Sequence, residues 1–190
     1  MDAVGVIVIA VIALLALGLF WVVVRSYNRL IRLRNQTRAS WAQIDVQLKR
    51  RHDLIPNLVD TVAEYAAHER GTFEAVTAAR GAAASRDLGA AERAQAENQL
   101  TATLAKLLAT AEQYPELRAS QNFLKLQAEL SGTEDKIAYA RQFYNAAVQS
   151  YNTALESFPS NLVAGLSEHA KQEYFEAETE AREAVKVRFR

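Results

Sequence analysis

The chain has 190 residues with 22 basic and 22 acidic side chains, no cysteine, three prolines and seven glycines. The lack of cysteine excludes disulfides, thiolate metal sites and cysteine nucleophiles. The zero net charge conceals an asymmetry. Residues 25–51 carry eight basic side chains and one acid, a net of +7, whereas residues 52–190 carry 14 basic and 20 acidic, a net of −6. Without interleaved aromatic residues or a recognisable motif, this pattern does not point to nucleic acid.

Ala3 to Val24 is an unbroken run of 22 apolar or small residues. As a helix rising ~1.5 Å per residue it is about 33 Å long, enough for the ~30 Å hydrocarbon core of a bilayer. A helix satisfies its own backbone groups, so such a run can span lipid. A cleaved signal peptide would have a basic start, a shorter core and a small-x-small ending. Here the start is Met1-Asp2 and the run ends in Phe20-Trp21-Val22-Val23-Val24, so a retained anchor is expected. Trp21 and Tyr27 fall where aromatic residues favour the membrane boundary, and Arg25, Arg29, Arg32, Arg34 and Arg38 follow the span. The basic side stays in the cytoplasm, which predicts a single-pass membrane protein with its N-terminus outside and its C-terminal domain cytoplasmic. The same arginines are candidates for contact with anionic lipid, although a stop-transfer flank alone accounts for them.

Beyond the anchor, Leu30, Leu33, Thr37, Trp41, Ile44 and Leu48 keep a 3.5-residue phase, and Ile55, Leu58, Val62, Tyr65, Phe73 and Val76 continue it past Pro56. This fits one long helix over about 30–84 kinked at Pro56, or a new helix capped by Asp53 with Pro56 in its first turn. The continuous phase favours the first. Gly81 to Gly89 reads as a connection. A helix over about 91–113 follows, ended by Tyr114-Pro115. Phe123, Leu126, Leu130, Thr133, Ile137, Ala140, Tyr144, Ala147, Tyr151, Ala154 and Phe158 then alternate by three and four, the mark of a packing seam. Phe158-Pro159 stops that helix, Ser160 to Leu166 reads as a loop, and an acidic helix is expected over about 167–185. Long helices with short links predict an all-α, up-and-down four-helix-type bundle. The divisions are a tail and anchor over 1–25, a bundle over 26–185 and a tail over 186–190.

Residues 41–59, WAQIDVQLKRRHDLIPNLV, resemble the signature of the LemA family of bacterial membrane proteins. The likeness continues in Tyr27-Asn28, in Tyr114-Pro115-Glu116-Leu117, in Glu129-Leu130 with Glu134 and Ile137, and in Ala140-Arg141, Tyr144-Asn145, Tyr151-Asn152 and Phe158-Pro159. It ends in EYFEAETEAREA. The resemblance implies a single N-terminal span, a cytoplasmic four-helix-type bundle and no established enzymatic activity. A magnetosome membrane-biogenesis protein in the same family hints at membrane organisation.

Several constellations are candidates for function. Lys49, Arg50, Arg51, His52 and Asp53 form a possible partner-binding knuckle beside Pro56, or else a solvated turn with helix capping. Asp45 and Lys49 are spaced for a surface ion pair. Tyr144 and Tyr151 lie on the seam and need hydroxyl partners if buried, while Asn145 and Asn152 flank it. No catalytic residue, metal ligand or cofactor site is expected, since His52, His68 and His169 lack the Glu-x-x-His pairs of a di-iron bundle. The leading expectation is a membrane-anchored, non-enzymatic scaffold that self-associates or meets membrane-protein partners. The alternative is a module organising anionic lipid, and a ligand-sensing bundle or enzyme ranks lower.

Overall fold

The computed structural model describes residues 3–85 and 87–175. It is all-α, with no strand among the described residues. The helices are α1 (Ala3–Ala63), α2 (Arg70–Ala83), α3 (Ala90–Ala111), α4 (Pro115–Ala119), α5 (Gln121–Glu156) and α6 (Ser160–Gly165). The chain divides into two compact units, Met1–Trp41 with Asn145–Gln172, and Ala42–Tyr144 with Glu173–Arg190.

In the first unit, the apolar run forms the exposed opening turns of α1. It is the one helical segment among the described residues long and apolar enough to cross a membrane. Burial begins at Ser26 and Leu30. Leu30 packs with Ala154 of α5 and Val163 and Ala164 of α6, flanked by Leu33 and Leu155. Thr37 is buried on the same stripe because its hydroxyl donates to the Leu33 carbonyl at 3.1 Å.

The second unit is a bundle in which α1, α2, α3 and α5 share one core. Ile55, Leu58 and Val62 meet Val76 and Ala83, Leu100, Leu104 and Leu107, and Phe123 and Leu130, with Leu117 of α4 closing one end. Thr133, also buried, back-bonds to the Glu129 carbonyl at 2.7 Å. Gly89 caps α3. Its N–H donates to Glu92 Oε2 at 3.2 Å, and a Cβ there would stand 3.1 Å from Glu173 Oε2. Two carboxylates thus face the electropositive start of α3.

α1 is continuous through Pro56. Proline has no N–H, so the His52 carbonyl loses its intrahelical partner. Arg80 Nε supplies the missing donor at 2.8 Å. The expected helix over 30–84 is corrected at its far end. It stops at Ala63, and the turn to α2 tucks Ala66 into the core. Residues 64–69, EYAAHE, contain no glycine or proline to signal the break.

The C-terminal expectations need a larger correction. The predicted loop over 160–166 contains α6. The predicted helix over 167–185 is absent from 167–175, and its remainder, like the tail over 186–190, lies outside the described residues. Within the first unit, the chain is held against α5 by Asn152, whose amide Nδ2 donates to Gln172 O and whose Oδ1 accepts from Gln172 N, both at 2.9 Å. That side chain pairs with both backbone groups of Gln172, offering them partners outside a helix. Phe158 is corrected as well. It is 80% exposed, because α5 ends two residues earlier and the seam ends with it.

Candidate functional site

The Trp41–Val59 block lies wholly within α1. Trp41 is half-buried, Ile44 and Leu48 are buried, and Pro56 is exposed. Along α5, Leu126 is half-buried while Leu130, Ile137, Tyr144 and Tyr151 are buried.

The five-residue knuckle does not act as one surface. Lys49 and Asp53 are exposed and pair with each other at 2.6 Å, and this hydrogen bond holds the Asp53 carboxyl below its ordinary range. Asp45 therefore does not pair with Lys49 as its spacing suggested. It meets Arg93 of α3 at 3.3 Å. Arg50 is exposed and 4.0 Å from Glu129. Arg51 and His52 point into the bundle, where a partner cannot reach them.

Arg51 is the centre of a buried polar cluster. Its Nη2 pairs with the Glu97 carboxylate. Its Nη1 donates to Glu134 Oε1 at 2.6 Å and to Thr101 Oγ1 at 2.9 Å. Thr101 in turn donates to the Glu97 carbonyl at 3.0 Å, and His52 Nε2 stands 3.1 Å from Glu97 Oε1. The Arg51 and Glu97 side chains are 2% and 4% exposed, whereas Glu134 is 35% exposed. Nearby, burial lowers the Arg141 pKa, the Arg51 charge adds to this, and Glu134 opposes it. Arg141 also lies over the Phe175 ring at 5.1 Å. These groups spend their charge on one another, which suits the cluster to fixing helix register.

Glu97 and Thr101 carry no mark in the family resemblance, and Glu134 enters it without a partner. The signal was phase. Arg51 falls on the Leu48–Ile55 stripe, and Glu97 lies three residues before Leu100 on the buried face of α3. A charge on a core stripe implies a buried counter-charge.

The tyrosines find partners in the C-terminal stretch. In the second unit, Tyr144 OH donates to the Glu173 carbonyl at 2.9 Å, and burial followed by the Glu173 charge raises its pKa. In the first, Tyr151 OH meets His169 Nδ1 at 2.9 Å. Burial raises Tyr151, with Arg34 and Arg38 opposing, and lowers His169, with Arg34 adding. The Tyr27 ring stands edge-on to His169 at 6.3 Å. Arg25 covers Trp21 at 5.3 Å, Arg29 and Arg32 are exposed, and Arg34 is half-buried.

The second unit also carries an open groove of about 680 Å³ between α1 and α5, lined by Ala42, Val46, Gln47, Asp135, Lys136 and Tyr139. Tyr139 and Phe143 are 64% and 50% exposed, with ring centroids 4.7 Å apart. Gln47 Oε1 is buried there without a hydrogen-bond partner.

The sequence model of the LemA family matches residues 40–189. The chain belongs to the LemA family. It is 27% identical over 175 residues to magnetosome protein MamQ 2 of Paramagnetospirillum magneticum, covering 79% of this chain and 64% of that protein. It is 28% identical over 152 residues to Protein LemA of Metamycoplasma hominis, covering 80% and 69%. Magnetosome protein MamQ of Magnetospirillum gryphiswaldense is 26% identical over 174 residues. The chain thus spans 64% of the length of the magnetosome relatives it matches. The family match includes the Arg51, Glu97 and Glu134 cluster and the residues lining the groove, while the apolar start of α1 precedes it.

Proposed function

We propose that this LemA-family chain is a membrane-tethered interaction protein without chemistry of its own, whose second unit pairs with a second copy through the α1–α5 groove. The observation that carries the reading is the groove itself. Exposed Val46 and Tyr139 line it together with Gln47, whose side-chain oxygen is buried and unpartnered, and exposed Phe143 packs against the Tyr139 ring. Asp135 and Lys136 sit side by side on its wall. A two-fold pairing sets Asp135 of one copy against Lys136 of the other, the self-complementarity a symmetric interface requires. The span supports the reading, because an anchor confines copies to a plane and raises their effective concentration. The ionisable groups best placed for chemistry, Arg51 and Glu97, are closed off from any substrate. The basic collar favours a cytoplasmic position for the units.

The chain has no cysteine, so Tyr139→Cys is a single-site crosslinking probe. Oxidation in native membranes is expected to yield a disulfide dimer at Tyr139→Cys and little at Ala105→Cys on the exposed face of α3. Equal yields at the two sites would remove the groove as the pairing surface.

A second reading is lipid organisation. It is favoured by the exposed Arg25, Arg29 and Arg32, spaced by four and three on one face of α1, and by relatives named for the magnetosome. Salt-sensitive binding of residues 25–190 to anionic but not zwitterionic vesicles would support it.

A further inference from the structure

We infer that α6 is a second membrane contact, with Phe158, Leu162 and Leu166 inserting into the headgroup layer of the bilayer that α1 crosses. The inference rests on the reading of Ala3–Val24 as a span. These three side chains are 80%, 61% and 90% exposed. They recur every four residues, and no charged residue lies between Glu156 and Glu168. Phe158 precedes α6, Leu162 lies within it and Leu166 caps it, so three bulky apolar side chains stand exposed within nine positions and call for an occupant.

Position supplies the occupant. In the first unit, Leu30 of α1 packs directly on Val163 and Ala164 of α6. Leu30 is six residues past Val24, about 9 Å along the helix. The headgroup layer adds roughly 5–8 Å on each side of the hydrocarbon core, and interfacial helices bury their apolar faces ~5–10 Å into that boundary. α6 is therefore packed on α1 at the level where the span leaves the bilayer, and Leu-sized side chains bridge the remaining distance. The chain then reaches His169, beside the Tyr27 ring, three residues past Val24.

The backbone of α6 is also prepared for a drier setting. Leu162 N–H donates to Asn161 Oδ1 at 2.9 Å and to the Pro159 carbonyl. At the other end Ser167 Oγ donates to the Val163 carbonyl at 2.8 Å, and the Leu166 N–H donates to the same oxygen at 3.2 Å. Groups already satisfied within the chain lose little on leaving water. Lipid suits this patch better than protein, since three side chains fall well short of the ~800 Å² each partner contributes to a stable protein interface.

The test uses the full-length chain with single cysteines at Leu162 and Leu166, at Leu14 inside the span and at Ala39 on the exposed face of α1. Each is labelled with an environment-sensitive fluorophore and reconstituted into phosphatidylcholine–phosphatidylglycerol vesicles. Brominated phosphatidylcholine is the lipid quencher and iodide the aqueous one. Lipid quenching at Leu162 and Leu166 is expected to exceed that at Ala39 several-fold and to approach that at Leu14. If both match Ala39 while Leu14 is quenched, the span stands and the α6 contact is overturned. If Leu14 also matches Ala39, the spanning reading falls and the contact with it. Protection of Leu162 from both quenchers would overturn the contact by showing that protein covers the patch.

Discussion

Arg51→Met tests whether the buried cluster holds the bundle together. The substitution keeps most of the side-chain volume and removes the charge. Glu97, 4% exposed, then keeps His52 beside its carboxylate, while Glu134, 35% exposed, returns toward water. Breaking one side of a buried ion pair costs ~3–5 kcal/mol. In a domain of this size each kcal/mol moves the thermal midpoint by ~2–4 °C, so a fall of roughly 6–20 °C is expected. Adding Glu97→Leu removes the orphaned carboxylate. The pair of changes is then expected to be less damaging than Arg51→Met alone, because an apolar replacement of a buried pair is often neutral or better. Circular dichroism of the full-length chain in micelles, followed through thermal unfolding, reads Arg51→Met, Glu97→Leu and the double variant. A midpoint that barely moves in Arg51→Met, or a double variant showing the sum of its singles, would refute the cluster as a coupled unit.

Arg80→Ala strips the His52 carbonyl of its donor and is expected to cost ~1–3 kcal/mol; in a Pro56→Ala background the restored amide recovers that bond, so a double-mutant cycle in urea reads a smaller loss. Asn152→Ala removes both bonds to Gln172, and hydrogen exchange at the Gln172 amide is expected to rise sharply while amides in the middle of α5 stay protected. The His169 pKa is depressed below 6.5, first by burial and then by Arg34. The unfolded chain therefore takes up the proton first, and the contribution of His169, full above 6.5, is lost as pH falls through the depressed value. His169→Gln should flatten that limb of the stability profile. A reporter active only in the cytoplasm, fused after Arg190, is expected to be active, whereas activity of a reporter that works only outside would overturn the orientation read from Arg25 to Arg38.

Helix faces were legible because periodicity reports burial directly. Leu30, Ile44, Leu48 and Ile55, and Leu130, Ile137, Tyr144 and Tyr151, are all buried where the spacing places them. Breaks that rest on tertiary contacts were not legible. EYAAHE turns because Ala66 is drawn into the core, and Arg80 lets α1 pass through Pro56, so neither event has a local signal. The same holds after Ser167. A sequence with helical composition leaves the helix there, where Asn152 offers its backbone a partner, and that partner lies 20 residues away. The knuckle was read as exposed because five consecutive polar residues look solvated. A helix turns through about 100° per residue, so residues two apart, such as Lys49 and Arg51, can point to water and core respectively.

Part of the sequence block that resembles the LemA signature is closed to solvent. In the Trp41–Val59 block, Ile44, Leu48, Arg51, His52, Ile55 and Leu58 are buried. Arg51 draws Glu97 from α3 and Glu134 from α5 to one point, fixing the register of three helices at once. Such a motif marks a fold and carries no information about what the folded units touch. Differences in role among chains sharing it must then reside on exposed surfaces. Here those are the Val46–Tyr139 groove, the arginines after the apolar run, and the exposed Phe158, Leu162 and Leu166. On the readings proposed above, the first receives another copy and the other two meet lipid. Charge reversal at Lys136 separates the groove from the membrane-proximal surfaces. Lys136→Glu sets like charges across a two-fold interface and is expected to abolish the Tyr139→Cys crosslink, while Asp135→Lys in the same chain restores the opposed signs and recovers it. Lipid quenching at Leu162 should be unchanged in both variants. A crosslink indifferent to Lys136→Glu would show that groove charge does not govern the pairing.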